Sequence, residues 1–147
     1  MYELRRTLES RGIVRAMEDS TVQHNRRSIE DEVNSWRQLL DSSFESTDVV
    51  LMDERFHTTL LAASGNSALT DALRAVNAKV RPVRMLGPMS PEDFREQIGE
   101  HIGIGELLLD GKLGDALSAL EAHIDSSRDR VIARAEQAAS LAGAVRT

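Results

Sequence analysis

Four residues of this chain combine metal-binding side chains with helical spacing: Asp53, His57, His101 and His123. Read as a helix at roughly 100° per residue, the run 49–66 sets Asp53 and His57 one turn apart on one face. Val49, Val50, Leu60 and Leu61 flank them, with Phe56 near the edge. An acid and an imidazole inside an apolar stripe need partners, because burying either alone costs several kcal/mol. His101 falls among Phe94, Ile98, Ile104, Gly105 and Leu108, and His123 among Ala116, Ala119, Leu120 and Ser127. Both therefore point inward. A carboxylate with imidazoles suits zinc first, then nickel, cobalt, manganese or iron. Three histidines and one carboxylate leave space in an expanded shell for a small molecule bound to the ion. The competing account is a buried Asp–His hydrogen-bond network with no ion. His24 sits among polar neighbours and is excluded from the set.

The elements that must position these residues read as helices throughout. The first covers 2–18, with Leu4, Leu8, Gly12 and Ala16 on one face and Arg5 in the same sector. Arg5 either snorkels to water from the stripe's edge or turns a guanidinium inward to a carboxylate. Ser20 or Thr21 can cap a second helix reaching about Leu40, with Val22, Ile29, Val33, Trp36 and Leu40 inward. A polar loop, 41–47, precedes the third helix, which starts at Thr47 or Asp48 and closes at Gly65-Asn66. Ser67 opens a fourth, whose apolar set is Leu69, Ala72, Leu73, Val76, Val80 and Val83. Pro82 predicts a kink or an early end near Arg81. Gly87, Pro88 and Met89 form a connector. Ser90-Pro91-Glu92-Asp93 is a helix start, with a capping serine, proline at the first position and acids in the first turn. That fifth helix runs to about Asp110 and stops at Gly111. A sixth runs from near Gly114 to roughly Ala139, with a frayed tail from Leu141. Short links between six helices predict an all-α antiparallel bundle.

Composition sets the outer bounds. At 147 residues, with 41% hydrophobic and 3% aromatic residues, the chain suits one helical domain spanning 1–147. A net charge of -6 gives it no attraction for phosphate backbones, so it is a poor nucleic-acid grip by itself. There are no cysteines, which excludes disulfides and thiolate metal sites. The start, Met1-Tyr2-Glu3-Leu4-Arg5-Arg6, has no apolar signal core, and no stretch has the roughly 18 apolar residues of a membrane span. A cytoplasmic location is the expectation. No nucleophile elbow, phosphate-cradling loop or CxxC motif is present. Gly103 and Gly105 lack a preceding strand and read as small residues for close helix packing.

Several of these segments, in order, resemble the FCD domain, the C-terminal effector-binding domain of FadR-subfamily GntR-type bacterial transcription regulators. The likeness is carried by Tyr2-Glu3-Leu4-Arg5-Arg6-Thr7-Leu8-Glu9, Asp53-Glu54-Arg55-Phe56-His57 and Ala63-Ser64-Gly65-Asn66. It continues through Glu100-His101 and Gly114-Asp115-Ala116-Leu117 to His123. The resemblance implies an all-α antiparallel bundle enclosing a metal and ligand pocket, with a divalent metal held by Asp53, His57, His101 and His123. It implies a small organic acid bound at or beside the metal, helped by an arginine from the first helix, here Arg5. Arg81 and Arg84 match positions that are often basic in the family, though Pro82 departs from the pattern between them. Gly12, where the family prefers alanine, loosens the first helix slightly. The length is similar to the six-helix VanR-type variant.

The resemblance further implies a winged helix-turn-helix preceding such a domain, which this chain lacks, so a fragment of a longer regulator is expected. The expected function is sensing and homodimerisation: the acid favours one dimer arrangement and so modulates DNA binding by the attached domain. The rival is a metal-dependent hydrolase or isomerase acting on a small carboxylate through metal-bound water. No uncommitted inward Glu or Lys stands out as its general base.

Overall fold

Capping side chains set where three of the helices begin. The computed structural model describes residues 1–41, 49–86 and 89–146, the last three by backbone alone. Six helices follow one another: α1 (Tyr2–Glu18), α2 (Arg26–Gln38), α3 (Val49–Ala63), α4 (Ser67–Arg84), α5 (Pro91–Leu109) and α6 (Leu113–Arg146). Asn25, Asn66 and Ser90 accept hydrogen bonds from the backbone N–H of Ser28, Leu69 and Asp93, and so cap α2, α4 and α5. Gly65 and Gly111 take the left-handed conformation, at φ +89° and +72°, that turns the chain out of α3 and α5.

Helix packing closes a ring. α1 lies against α4 and α6, α6 against α5, α5 against α2, α2 against α3, and α3 against α4, while α1 also touches α3 across the middle. The chain is thus an all-α bundle. Its apolar core gathers Trp36, Ile29 and Val33 from α2, Phe56 and Leu60 from α3, Phe94, Ile98 and Ile104 from α5, and Leu120 and Ile124 from α6. No helix among the described residues is long and apolar enough to cross a membrane.

Boundaries depart from expectation in four places. α2 starts at Arg26, not near Val22, because Thr21 is tied to Asp19 by its N–H and hydroxyl, while the Asn25 N–H bonds the Ala63 carbonyl. Pro82 does not end α4, which continues two residues past it to Arg84. Asn66 caps α4 instead of closing α3. α6 carries on through the expected frayed tail to Arg146. Asp41 closes a short 3-10 turn, Leu39–Asp41. The rest of the expected loop, the Thr47 or Asp48 cap, and Gly87 and Pro88 lie outside the described residues.

Gly105 packs against α2 so closely that a Cβ there would lie 2.2 Å from Val33 Cγ2, whereas Gly103 faces open space. Inward faces also differ in part from the expected stripes. Leu4, Leu40 and Val83 are exposed, and α1 turns Arg5, Glu9, Gly12 and Ile13 inward. A polar interior at that point draws polar residues to face it.

Candidate metal centre

α3 supplies Asp53 and His57, α5 supplies His101 and α6 supplies His123, and all four side chains are buried. One ligand atom from each lies within 4.8 Å of the others. The Asp53 Oδ1 atom is 3.0 Å from His101 Nε2, 3.3 Å from His57 Nε2 and 3.9 Å from His123 Nε2. His123 Nε2 is 3.2 Å from His57 Nε2 and 3.1 Å from His101 Nε2. Two bonds of ~2.1 Å to a common centre, at roughly 95–100°, span such nitrogen–nitrogen distances.

Proton positions sharpen the picture. Glu9 lies against His57 Nδ1, and Glu100 Oε2 is 2.8 Å from His123 Nδ1. An ionised carboxylate only accepts, so both Nδ1 atoms carry hydrogen and donate. In the neutral rings both Nε2 atoms are then bare lone pairs, aimed at one another across 3.2 Å. A hydrogen-bond network needs an added proton to satisfy that contact, whereas a cation satisfies it directly. His101 is oriented by packing instead: its ring stacks on Phe56 at 4.0 Å between centroids and meets Trp36 edge-on at 4.2 Å.

Around this centre lies a buried charged layer. Arg84 from α4 pairs with Asp53 Oδ2, and Gln97 from α5 donates to Asp53 Oδ1 at 2.7 Å. Arg5 donates to Glu9 Oε2 at 2.7 Å, and its Nη2 stands 3.7 Å from Asp53 Oδ2. Burial alone would raise the Asp53 carboxyl, but the Arg84 guanidinium, with the His57, His101 and His123 imidazoles beside it, outweighs burial and holds it well below the usual range. Burial would likewise raise Glu9, yet His57 and Arg5 hold it down at about 2. Burial pushes His101 down to about 3. Burial also works to lower His123, but the hydrogen bonds that Asp53 and Glu100 accept from it prevail and raise it. Arg130 steadies Glu100 from behind at 2.7 Å.

The two basic candidates near Pro82 part company. Arg84 enters the layer, while Arg81 pairs with Glu54 through contacts as short as 2.7 Å, away from the cluster. His24 stands outside the four-residue group, half-buried among Glu9, Ile13 and Leu60. Glu9, Gln97, Glu100 and Tyr2 belong to the surroundings and were given no site role in the sequence reading. Glu9 carried a usable signal, since it sits one turn after Arg5 on the same face. Glu100 carried none, because it neighbours His101 in sequence and therefore projects about 100° away.

A curated relative, the "Nta operon transcriptional regulator" of Aminobacter aminovorans, is 28% identical over 137 residues, covering 90% of this chain and 60% of its own length. The chain therefore spans about three fifths of that relative. The model of the FCD domain matches residues 1–126, a segment that contains all four candidate ligands. With most of its length matched, the chain belongs to the FCD domain family.

Proposed function

We propose that Asp53, His57, His101 and His123 hold one divalent ion, zinc first and nickel, cobalt, manganese or iron as substitutes, and that the domain senses a small organic acid there. The observation that carries this is the meeting of bare Nε2 lone pairs whose rings are locked from behind by Glu9 and Glu100. Carboxylates that orient ligating histidines in this way raise their basicity and fix the tautomer. A bound divalent ion would supply a Lewis-acid anchor for a carboxylate. Arg5 and Arg84 supply fixed countercharge beside it, with guanidinium nitrogens that have no hydrogen-bond partner among the described residues.

The domain, residues 1–147, then acts as the effector-binding and dimerising part of a longer cytoplasmic regulator of the GntR type, FadR subfamily. DNA is reached through a winged helix-turn-helix outside this chain. The family match and the relative's name support that reading. An enzymatic role lacks a free base at the centre, because Asp53, Glu9 and Glu100 are each engaged by arginine or histidine. Elemental analysis of protein purified without chelator tests the metal. About one equivalent per chain is expected, falling to background in His57→Ala and His123→Ala. Equal, negligible metal in all three would defeat the proposal.

A further inference from the structure

The four side chains of the candidate metal centre are at most 2% exposed, so an ion reaches them only by passing other side chains. Two cavities mark a way in. An outer one of about 260 Å³ lies where the connection 19–25 passes the end of α5, with Ala16, Val22, Ile29, Leu109 and Leu113 among its walls. Behind it is a void of about 10 Å³, room for one water, whose walls include Gly12, Leu60 and the Glu9–His57 pair. His24 and Leu108 line both spaces. The inner void therefore meets a candidate ligand, and a wall shared by two side chains parts it from the outer cavity.

Of those two side chains, His24 is the one that can yield. Leu108 is fixed in the apolar core. His24 is half-buried, and among the described residues no hydrogen bond or ion pair holds its ring. Its backbone, by contrast, is tied on both sides. The Val22 N–H bonds the Asp19 carbonyl at 3.0 Å, and the Asn25 N–H bonds the Ala63 carbonyl at 2.8 Å. Arg26 Nη1 then donates to the Leu109 carbonyl at 2.7 Å, fastening the start of α2 to the end of α5. An untied ring on a fixed frame moves by a rotamer change alone, and the outer cavity has the volume to receive it. With the ring turned out, the two spaces join and lead from the outer cavity to Glu9 and His57. A further cavity of about 320 Å³ between α1 and α6, with Tyr2 and Ile124 in its walls, is lined by none of the four candidate ligands.

We propose that His24 is the gate of an entry path for the metal ion, running from the outer cavity past the turned ring to Glu9 and His57. This rests on the metal centre proposed above and adds its route. The histidine that stands outside the ligand set controls how fast the set is filled and emptied, not how tightly it binds.

Stopped-flow zinc exchange tests it: metal-free chain mixed with buffered zinc reads uptake, and loaded chain mixed with excess chelator reads release. A gate changes both rates together and leaves their ratio, the affinity, unaltered. A minor open state is typically populated at about 0.1–10%, so the permanently open His24→Ala is expected to speed both at least about tenfold. Ser20→Trp, which fills the outer cavity, is expected to slow both. His24→Phe keeps a ring without its nitrogens and is expected to stay within about threefold of the unaltered chain. Arg128→Trp, at the α1–α6 cavity, is expected to change neither rate. Zinc content and melting temperature are followed in each variant, so a misfolded protein is not scored. Unchanged rates in His24→Ala and Ser20→Trp, with zinc still bound, overturn the gate and leave the metal centre standing. A change in release alone, or slowing by Arg128→Trp instead of Ser20→Trp, overturns it equally. His24→Phe as fast as His24→Ala overturns gating by the bulk of the ring. Failure of the unaltered chain to bind zinc defeats the metal centre itself.

Discussion

Replacing Glu100 with glutamine probes the centre without dismantling it. Glu100 accepts from His123 Nδ1 at 2.8 Å and is gripped by Arg130 at 2.7 Å, yet its side chain keeps 26% exposure. The amide preserves the shape and removes the charge. A hydrogen bond to a charged group contributes about 1.5–3 kcal/mol, against about 0.5–1.5 for a neutral pair, so the loss is about 1–1.5 kcal/mol. Solvent near Glu100 trims that figure. Lower basicity at His123 Nε2 adds to it, since orienting partners of this kind typically carry 10–100-fold in metal affinity. Zinc affinity is therefore expected to fall about tenfold. Competition against a chromogenic chelator at fixed pH reads this directly. Glu106→Gln, which disturbs only an exposed pair with Arg37, is the control and should leave affinity unchanged. A correctly folded Glu100→Gln protein within about twofold of the unaltered chain would refute the reasoning.

Further outcomes follow from the same contacts. Arg84→Gln leaves Asp53 buried without its main partner, so metal-free protein should lose about 3 kcal/mol in urea unfolding, and zinc should restore a good part; an equal loss with and without zinc would count against a metal at Asp53. Glu9, held at about 2 when folded, contributes stability that is complete above its ordinary 4.5 and disappears as pH falls toward 2. His101, pushed to about 3, acts in the same direction from 6.5 downward, while raised His123 opposes them, its contribution being complete below 6.5 and lost as pH rises through its folded value. Metal-free protein should thus unfold at progressively lower urea between about pH 6 and pH 3, and a level midpoint across that span would contradict the carboxylate and His101 assignments. Gly105→Ala should cost about 1–2 kcal/mol, because the added Cβ would overlap Val33, a buried β-branched side chain that must shift, whereas Gly103→Ala should gain about 0.5–1 from helix propensity. Matching thermal shifts for the two would show that the α2–α5 approach is looser than described.

Periodicity was enough to find the helices and to aim Asp53, His57, His101 and His123 at a common interior, because each lies amid an apolar run. On α1 it held for Gly12 and for the inward alternative of Arg5 but not for the leucines. Leu4 and Leu8 mark an apparent stripe, but the helix faces a charged layer, so Arg5 and Glu9 point inward and Leu4 outward. The Arg81 and Arg84 pair shows a second limit. Both are helix-end arginines in the sequence, and only the position of Glu54 on α3 decides that Arg81 is taken elsewhere while Arg84 reaches Asp53. Glu100 was hidden because its partner, His123, lies 23 positions on and on another helix. The start of α2 had a local signal in Asn25, whose side chain caps Ser28 N–H, but the bond from Asn25 N–H to the Ala63 carbonyl that favours it over Ser20 or Thr21 is long-range.

X-ray absorption at the zinc edge of the loaded protein tests the central claim most directly. The account predicts three imidazole nitrogens at ~2.0–2.1 Å, with their outer-ring scattering, and at least one oxygen near ~2.0–2.2 Å. A shell of oxygen alone, with no imidazole signature, would contradict it.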